Sequence, residues 1–261
     1  MDDHPKRILP FTIGAAAAAF VILVGWLLNT PEGLLGKADA VGYAVCHRIP
    51  SHGFFIGERP FPMCARCSGM FLGALVTQAF YLLRKPKAGL YPRRLILAAL
   101  GLFFLFWAGD GVNALLADLP QPANLYPPSN TLRAVSGALM GITLTTMVYP
   151  AYVQTAWVDW RNERPIASWR DLLLLIGFQM LVVLALHSGT PFVLYPLALL
   201  SAVGVLSTLT MAYAMLLAVL LRREGYARRW RDLVPMLLLG LACGLLQIAL
   251  LDWLRYGAIG L

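Results

Sequence analysis

Residues 46–69, CHRIPSHGFFIGERPFPMCARCSG, hold three of the four cysteines and two of the four histidines in the chain. Cys64 and Cys67 form a C-x-x-C at the head of an apolar run, and residues three apart on a helix share a face. A helix amino terminus and the adjacent Arg66 both favour thiolate there. Two chemistries suit the pattern. One is a metal site with Cys46, Cys64 and Cys67 as sulfur ligands and His47, His52 or a carboxylate as the fourth, a donor set for zinc or iron. The other is thiol–disulfide exchange by the C-x-x-C with Cys46 resolving it. Cys46 and His47 are adjacent and their side chains diverge, so Cys46 is the first expected ligand and His47 the open one.

A second set of polar residues falls at matching helix ends. Asp110 and Asn113 lie three apart in WAGDGVN, and Asn130 and Arg133 open a later apolar run in PPSNTLR, with Ser129 as its expected cap. An ionisable residue within a bilayer faces a partner or a water-filled cavity. Asp110 and Arg133 are the expected pair, either as a structural clamp or as part of a site. In a site, Arg133 would bind an anionic group and Asp110 would act as acid, base or further ligand.

The elements that must position these groups are membrane helices. Apolar residues make up 59% of the chain, charged ones 13%, and the mean hydropathy is +0.69, too little polar surface for a soluble globule of this length. The net charge of +8 sits in short basic clusters between apolar runs, which excludes nucleic-acid binding as its explanation. Runs long enough to cross a bilayer fall at roughly 8–28, 67–83, 95–116, 133–158, 171–187, 192–221 and 233–254. The expected fold is therefore an all-α polytopic transmembrane bundle of about seven spans, a single domain over residues 1–261.

Lys and Arg concentrate before the first span and after the second, fourth and sixth, while connectors 117–132 and 188–191 have none. The positive-inside rule then places the amino terminus in the cytoplasm, the carboxyl terminus outside and the cysteine segment on the extracytoplasmic face of the cell membrane. No small-x-small cleavage site follows the first span, so a retained signal anchor is expected.

Pro50, Gly53, Gly57, Pro60 and Pro62 forbid a continuous helix between the cysteines, and Phe54, Phe55, Ile56, Phe61 and Met63 give this loop an apolar side. A lid or hairpin resting on the bundle is expected, because irregular backbone at membrane depth must be shielded. Upstream, Leu34, Leu35, Ala38, Val41 and Val45 recur at helical spacing, predicting a short interfacial helix that delivers Cys46. Gly69-x-x-x-Gly73, Gly137-x-x-x-Gly141 and Gly240-x-x-x-Gly244 allow close helix contact. In the second half, Gln179 and Gln247 read as interhelical hydrogen-bond partners, His187 as a structural interface residue, and Asp252 with Arg255 as a solvated pair.

C-H-R-I-P followed by P-M-C-A-R-C-S-G-M-F-L-G, an intramembrane Asp and S-N-x-x-R-x-x-x-G resembles the bacterial and archaeal membrane proteins grouped as domain-of-unknown-function family 2085. The resemblance covers about residues 40–145 and leaves the helices of 146–261 unmatched. It implies that Cys46, His47, Pro50, Cys64, Arg66, Cys67, Gly69, Asp110, Asn130 and Arg133 belong to a family pattern, and it brings no established activity. His52-Gly53 stands where the family is expected to have Arg-Ser.

Three functions fit. The first is a metal-dependent membrane enzyme with Cys46, Cys64, Cys67 and His47 on zinc or iron and Asp110, Arg133, Asn130 and Asn113 beside it, acting on a lipid or lipid-linked anionic group. The second is a thiol–disulfide oxidoreductase coupled to a membrane quinone. The third is a transporter or non-catalytic subunit with the cysteine loop as a staple. No Walker loop, dinucleotide fingerprint, H-E-x-x-H or G-x-S-x-G is present in the sequence.

Overall fold

The structure is a computed structural model that describes residues 4–120 and 123–259, with side chains for 11–120 and 123–257. Lys6 and Arg7, used above for orientation, lie in the first helix, and their side chains fall outside the described part.

Ten elements follow one another: α1 (His4–Leu28), α2 (Gly33–Val45), β1 (Gly53–Ile56), β2 (Arg59–Cys64), α3 (Ala65–Arg84), α4 (Arg94–Ala117), α5 (Asn130–Ala156), α6 (Trp169–Leu186), α7 (Pro191–Leu220) and α8 (Val234–Ile259). Seven of these are long helices, at the places the apolar runs indicate. Among the described residues six are long and apolar enough to cross a membrane. The exception, α3, owes its lower apolarity to polar side chains that its neighbours bury on several sides: Ser68, Thr77 and Gln78 are buried, and Gln78 donates to Thr208 Oγ1 of α7 (3.2 Å). Gln179 of α6 donates to Gly73 O (3.2 Å) and Thr77 Oγ1 (3.3 Å), the interhelical bond expected of it.

Two ends of the bundle can be told apart by their contacts. At one, Arg66 at the start of α3 meets Asp110 near the end of α4. At the other, Arg84 and Lys85 at the end of α3 approach Asp171 in the first turn of α6. Thus α3, at 20 residues, runs from one end to the other, consistent with about 30 Å of helix. The first end carries the cysteines; the second carries the basic connectors, where Lys87 meets Asp159 at 2.8 Å.

At the centre α3 packs on α5, with α7 and α6 against both, α4 outside α5, and α8 and α1 beyond α7. Glycines set the closeness of the central pair. A methyl at Gly69 would collide with the Ala134 carbonyl, and one at Gly137 with the carbonyl of Arg66. The close approach expected of the Gly69 and Gly137 motifs is present, with backbone touching backbone. Helix starts are fixed locally. Ser129 caps α5 by accepting from Leu132 N (3.2 Å), as its sequence position indicates, and Ser168 with Asp171 forms a capping box on α6.

The cysteine end is closed by α2 and the hairpin. Ala38 and Val41 of α2 are buried over α7 and α8, Leu34 is exposed, and Lys37 turns back to donate to the Leu27 and Thr30 carbonyls at the end of α1. β1 and β2 pair antiparallel through a turn at Gly57 (φ +64°), with Phe61 and Met63 buried beneath and Phe55 exposed. Asp39 of α2 holds Arg48 at 2.7 Å and Arg59 at 2.5 Å, tying the hairpin to α2. Tyr213 donates to Gln247 (2.8 Å), and His187 contacts Thr131 Oγ1 (2.9 Å) and the Phe54 ring, as expected of structural partners.

The central packing predicts a sharp contrast between two glycines. Gly137→Val forces backbone apart and should cost about 1–3 kcal/mol or more. Gly101→Val, on the exposed face of α4 with open space around it, should stay within about 0.5 kcal/mol. Thermal unfolding of the two variants in one detergent reads the difference.

Candidate metal centre

Cys46 ends α2, its N–H still bonded to Gly42 O at 2.9 Å. Two residues later Arg48 takes a left-handed conformation (φ +54°), unusual for a non-glycine, and the chain reverses toward the hairpin. After the reversal the N–H of Cys64 donates to Cys46 Sγ at 3.2 Å. Cys64 is the cap residue of α3 and Cys67 lies in its first turn, so the end of β2 and the start of α3 bring both thiols to Cys46.

The ligand atoms of Cys46, His47 and Cys64 lie within 4.8 Å of one another. Cys67, one helical turn on from Cys64, is near enough to influence both other thiols but is not one of these three, and all four cysteines of the chain, the distant Cys243 included, are free. Cys46 and Cys64 are buried, whereas His47 is exposed. Hydrogen bonds from the Cys64 and Cys67 thiols, and then from backbone N–H groups, pull Cys46 down to about 2 against the opposing effect of burial. That Cys46 thiolate, through its hydrogen bond, pushes Cys64 up to about 11. Metal ligands must be thiolates, so a cation entering here would displace the remaining thiol protons.

His47 Nε2 lies 3.3 Å from His52 Nδ1, and His52 Nε2 lies 3.4 Å from Asp118 Oδ1. Burial, followed by the positive charge of Arg133, lowers His52 below the usual imidazole range and favours its neutral form. With Nε2 of His47 occupied in this way, Nδ1 is the nitrogen left to face the sulfurs.

The second polar set is arranged differently from expectation. Asp110, 1% exposed, pairs with Arg66 and not with Arg133. Arg66 Nε donates to Asp110 Oδ2 at 3.1 Å and its Nη2 to the Asp110 backbone carbonyl at 3.0 Å. Tyr126 OH donates to Oδ1 (3.2 Å) and Ser136 Oγ to Oδ2 (3.3 Å). Arg66 wins because its long side chain, leaving the first turn of α3, reaches across to both the carboxylate and the main chain of Asp110 on α4.

Arg133, 4% exposed, donates through Nη1 to Asn130 Oδ1 at 2.9 Å, while its buried Nε has no partner. Asn130 also donates to the Ser51 and Gly53 carbonyls (3.2 and 3.0 Å), pinning the hairpin to α5. Asn113 accepts from Leu125 N (2.8 Å) and donates to Tyr126 O (3.0 Å), shaping the α4–α5 connector. Arg255 donates to the Tyr43 carbonyl and to Cys46 O (2.8 Å) instead of forming the expected solvated pair with Asp252. Asp118 and Tyr126 escape the sequence reading, since each sits in a polar connector where no periodicity marks a partner.

A double-mutant cycle tests the pairing. Arg66 and Asp110 should couple by about 0.5–3 kcal/mol, with Arg66→Ala alone costing about 3–5 kcal/mol through the stranded carboxylate. The Arg133 and Asp110 cycle should give a clearly smaller coupling by thermal unfolding in detergent.

Residues 46–147 match the family described as "Predicted membrane protein (DUF2085)". An uncharacterized protein of Methanocaldococcus jannaschii is 29% identical over 118 residues, 44% of this chain and 68% of that relative. No solved structure matches the chain. The matched segment begins at Cys46 and ends within α5, so it takes in the thiol cluster, the hairpin, Arg66, Asp110 and Arg133 and stops before α6. It is in these residues, the cysteine hairpin with α3, α4 and most of α5, that the chain is similar to the DUF2085 membrane proteins.

Proposed function

We propose that Cys46, Cys64, Cys67 and His47 hold one zinc or iron ion at the extracytoplasmic end of the bundle, and that this centre is the functional core of a multi-pass cell-membrane protein. The observation that carries the reading is the meeting of the Cys46, His47 and Cys64 ligand atoms within 4.8 Å from segments separated by a hairpin; Cys67, in the first turn of α3, is the ligand the proposal adds. Tetrahedral zinc places its sulfurs roughly 3.8 Å apart at Zn–S distances of about 2.3 Å, which is compatible with that spread. The N–H of Cys64 on Cys46 Sγ suits a thiolate ligand, and His52 with Asp118 suits a histidine ligand that must be held in one tautomer. A metal also accounts for free thiols on an oxidising face.

The orientation rests on charge. The basic connectors gather at the end opposite the cysteines, and by the positive-inside rule this supports reading that end, with the amino terminus, as cytoplasmic and the carboxyl terminus as outside.

Four protein donors close a tetrahedral site, so the ion's first task is to fasten the hairpin to α2 and α3. A metal-dependent enzyme acting on a lipid or lipid-linked anionic group is the finer reading, supported by two observations. His47 is the exposed donor and the one free to give way, and Arg133 keeps a buried N–H unspent beside the cluster. Asp110, saturated by Arg66, Tyr126 and Ser136, positions Arg66 and is not a free acid or base.

Purified protein should contain about one zinc or iron per chain by elemental mass spectrometry. Cys64→Ser should lose it while the helix content persists. Metal-free protein whose Cys64 and Cys67 interconvert between thiol and disulfide under mild redox buffers would support thiol–disulfide exchange instead. His52→Ala should weaken the metal about 10–100-fold in competition with a chromophoric chelator, because the imidazole behind His47 is gone.

A further inference from the structure

A second site lies beside the cysteine cluster, between α1, α2 and α8, as a cavity of about 560 Å3. That volume falls in the range of small-molecule pockets. Its floor is apolar: Ile22 lies about one helical turn deeper in the bundle than Trp26, and Leu245 about two turns deeper than Asp252. Its mouth is rimmed by Leu246 and Trp253, which are exposed and would face acyl chains in a bilayer. Its upper wall carries Asp39, Arg48 and Asp252.

Three of the wall residues hold a buried polar atom with no hydrogen-bond partner: Trp26 Nε1, Tyr43 OH and Asp252 Oδ1. Buried polar groups are nearly always paired, so their meeting on one cavity points to a ligand that completes them. The charges say which ligand. Asp252 has no ion pair, because Arg255 is spent on the Tyr43 and Cys46 carbonyls and lies over the Tyr43 ring at 4.2 Å. The carboxylate is accompanied by the rings of Trp26, Trp253 and Tyr256, a setting that attracts an organic ammonium. On the same upper wall Arg48 shares the single carboxylate of Asp39 with Arg59, which lies outside the cavity lining, leaving one positive charge in excess.

We propose that this cavity binds the headgroup of a membrane phospholipid carrying a protonated amine, with the ammonium at Asp252, the phosphate toward Arg48 and the first methylenes over Ile22 and Leu245. The site needs no metal at the cysteines, so its success or failure is separate from that of the metal centre.

The experiment uses the full chain in nanodiscs of equal parts phosphatidylethanolamine and phosphatidylglycerol, followed by native mass spectrometry of lipids retained on release. Wild-type protein should retain phosphatidylethanolamine about tenfold over phosphatidylglycerol, the worth of one charge-assisted contact. Asp252→Asn should abolish the preference, and Ala249→Trp, which fills the cavity, should abolish retention; both should keep wild-type metal content. Retained lipid that mirrors the bilayer, a preference for phosphatidylglycerol, or an Ala249→Trp protein that still selects phosphatidylethanolamine would overturn the proposal. Where Asp252→Asn does not fold, the wild-type preference and Ala249→Trp decide it.

Discussion

A guanidinium carried into a membrane bundle needs acceptors for its N–H groups, and Arg66 finds a buried carboxylate at the point where the whole cysteine end is assembled. Its side chain reaches the carboxylate and the main chain of Asp110, joining α3 to α4. Its carbonyl lies against Gly137, where only a hydrogen fits, joining α3 to α5. It stands between Cys64 and Cys67, so whatever fixes Arg66 fixes the C-x-x-C. Buried ion pairs are weak contributors to net stability but costly to break, and they specify one register. Here that register is the one that presents two thiols to Cys46.

The hairpin obeys the complementary constraint. Its backbone is irregular and reaches the bundle end, so its polar groups must be answered by protein. Asn130 takes the Ser51 and Gly53 carbonyls, Asp39 takes Arg48 and Arg59, and Gly42 lets the Pro62 carbonyl lie on α2. These ties come from α5 and α2, on opposite sides of the hairpin. A metal on Cys46 and Cys64 would add a tie between the two ends of the same loop, where the cavity against Cys64 measures only about 10 Å3, room for no more than a water. The larger cavity lies between α2, α1 and α8, and no cysteine lines it.

The sequence made the helices legible because each apolar run is bounded by basic or proline-rich connectors, and it made the return of Cys46 to the C-x-x-C legible through the broken loop between them. The Gly69 and Gly137 motifs foretold a contact that the structure contains. Partner choice was less legible. Asp110 seemed matched to Arg133 because both lie near one end of neighbouring helices, yet Arg66, two residues from a cysteine, reads first as a thiolate neighbour. The arrangement of His52 with Asp118 depends on a proline-broken turn meeting the end of α4, which no helical period encodes. Arg255 and Asp252 lie three apart and suggest a surface pair; α2 supplies carbonyls that only its folded position brings within reach.

The central claim is that Cys46, Cys64, Cys67 and His47 are ligands of one ion. X-ray absorption at the metal edge of the purified full chain addresses it directly. The account predicts a first shell of three sulfurs at about 2.3 Å and one nitrogen at about 2.0–2.1 Å for zinc, with the nitrogen lost in His47→Ala. A first shell of oxygen and nitrogen alone, or one that Cys46→Ser leaves unchanged, would contradict it.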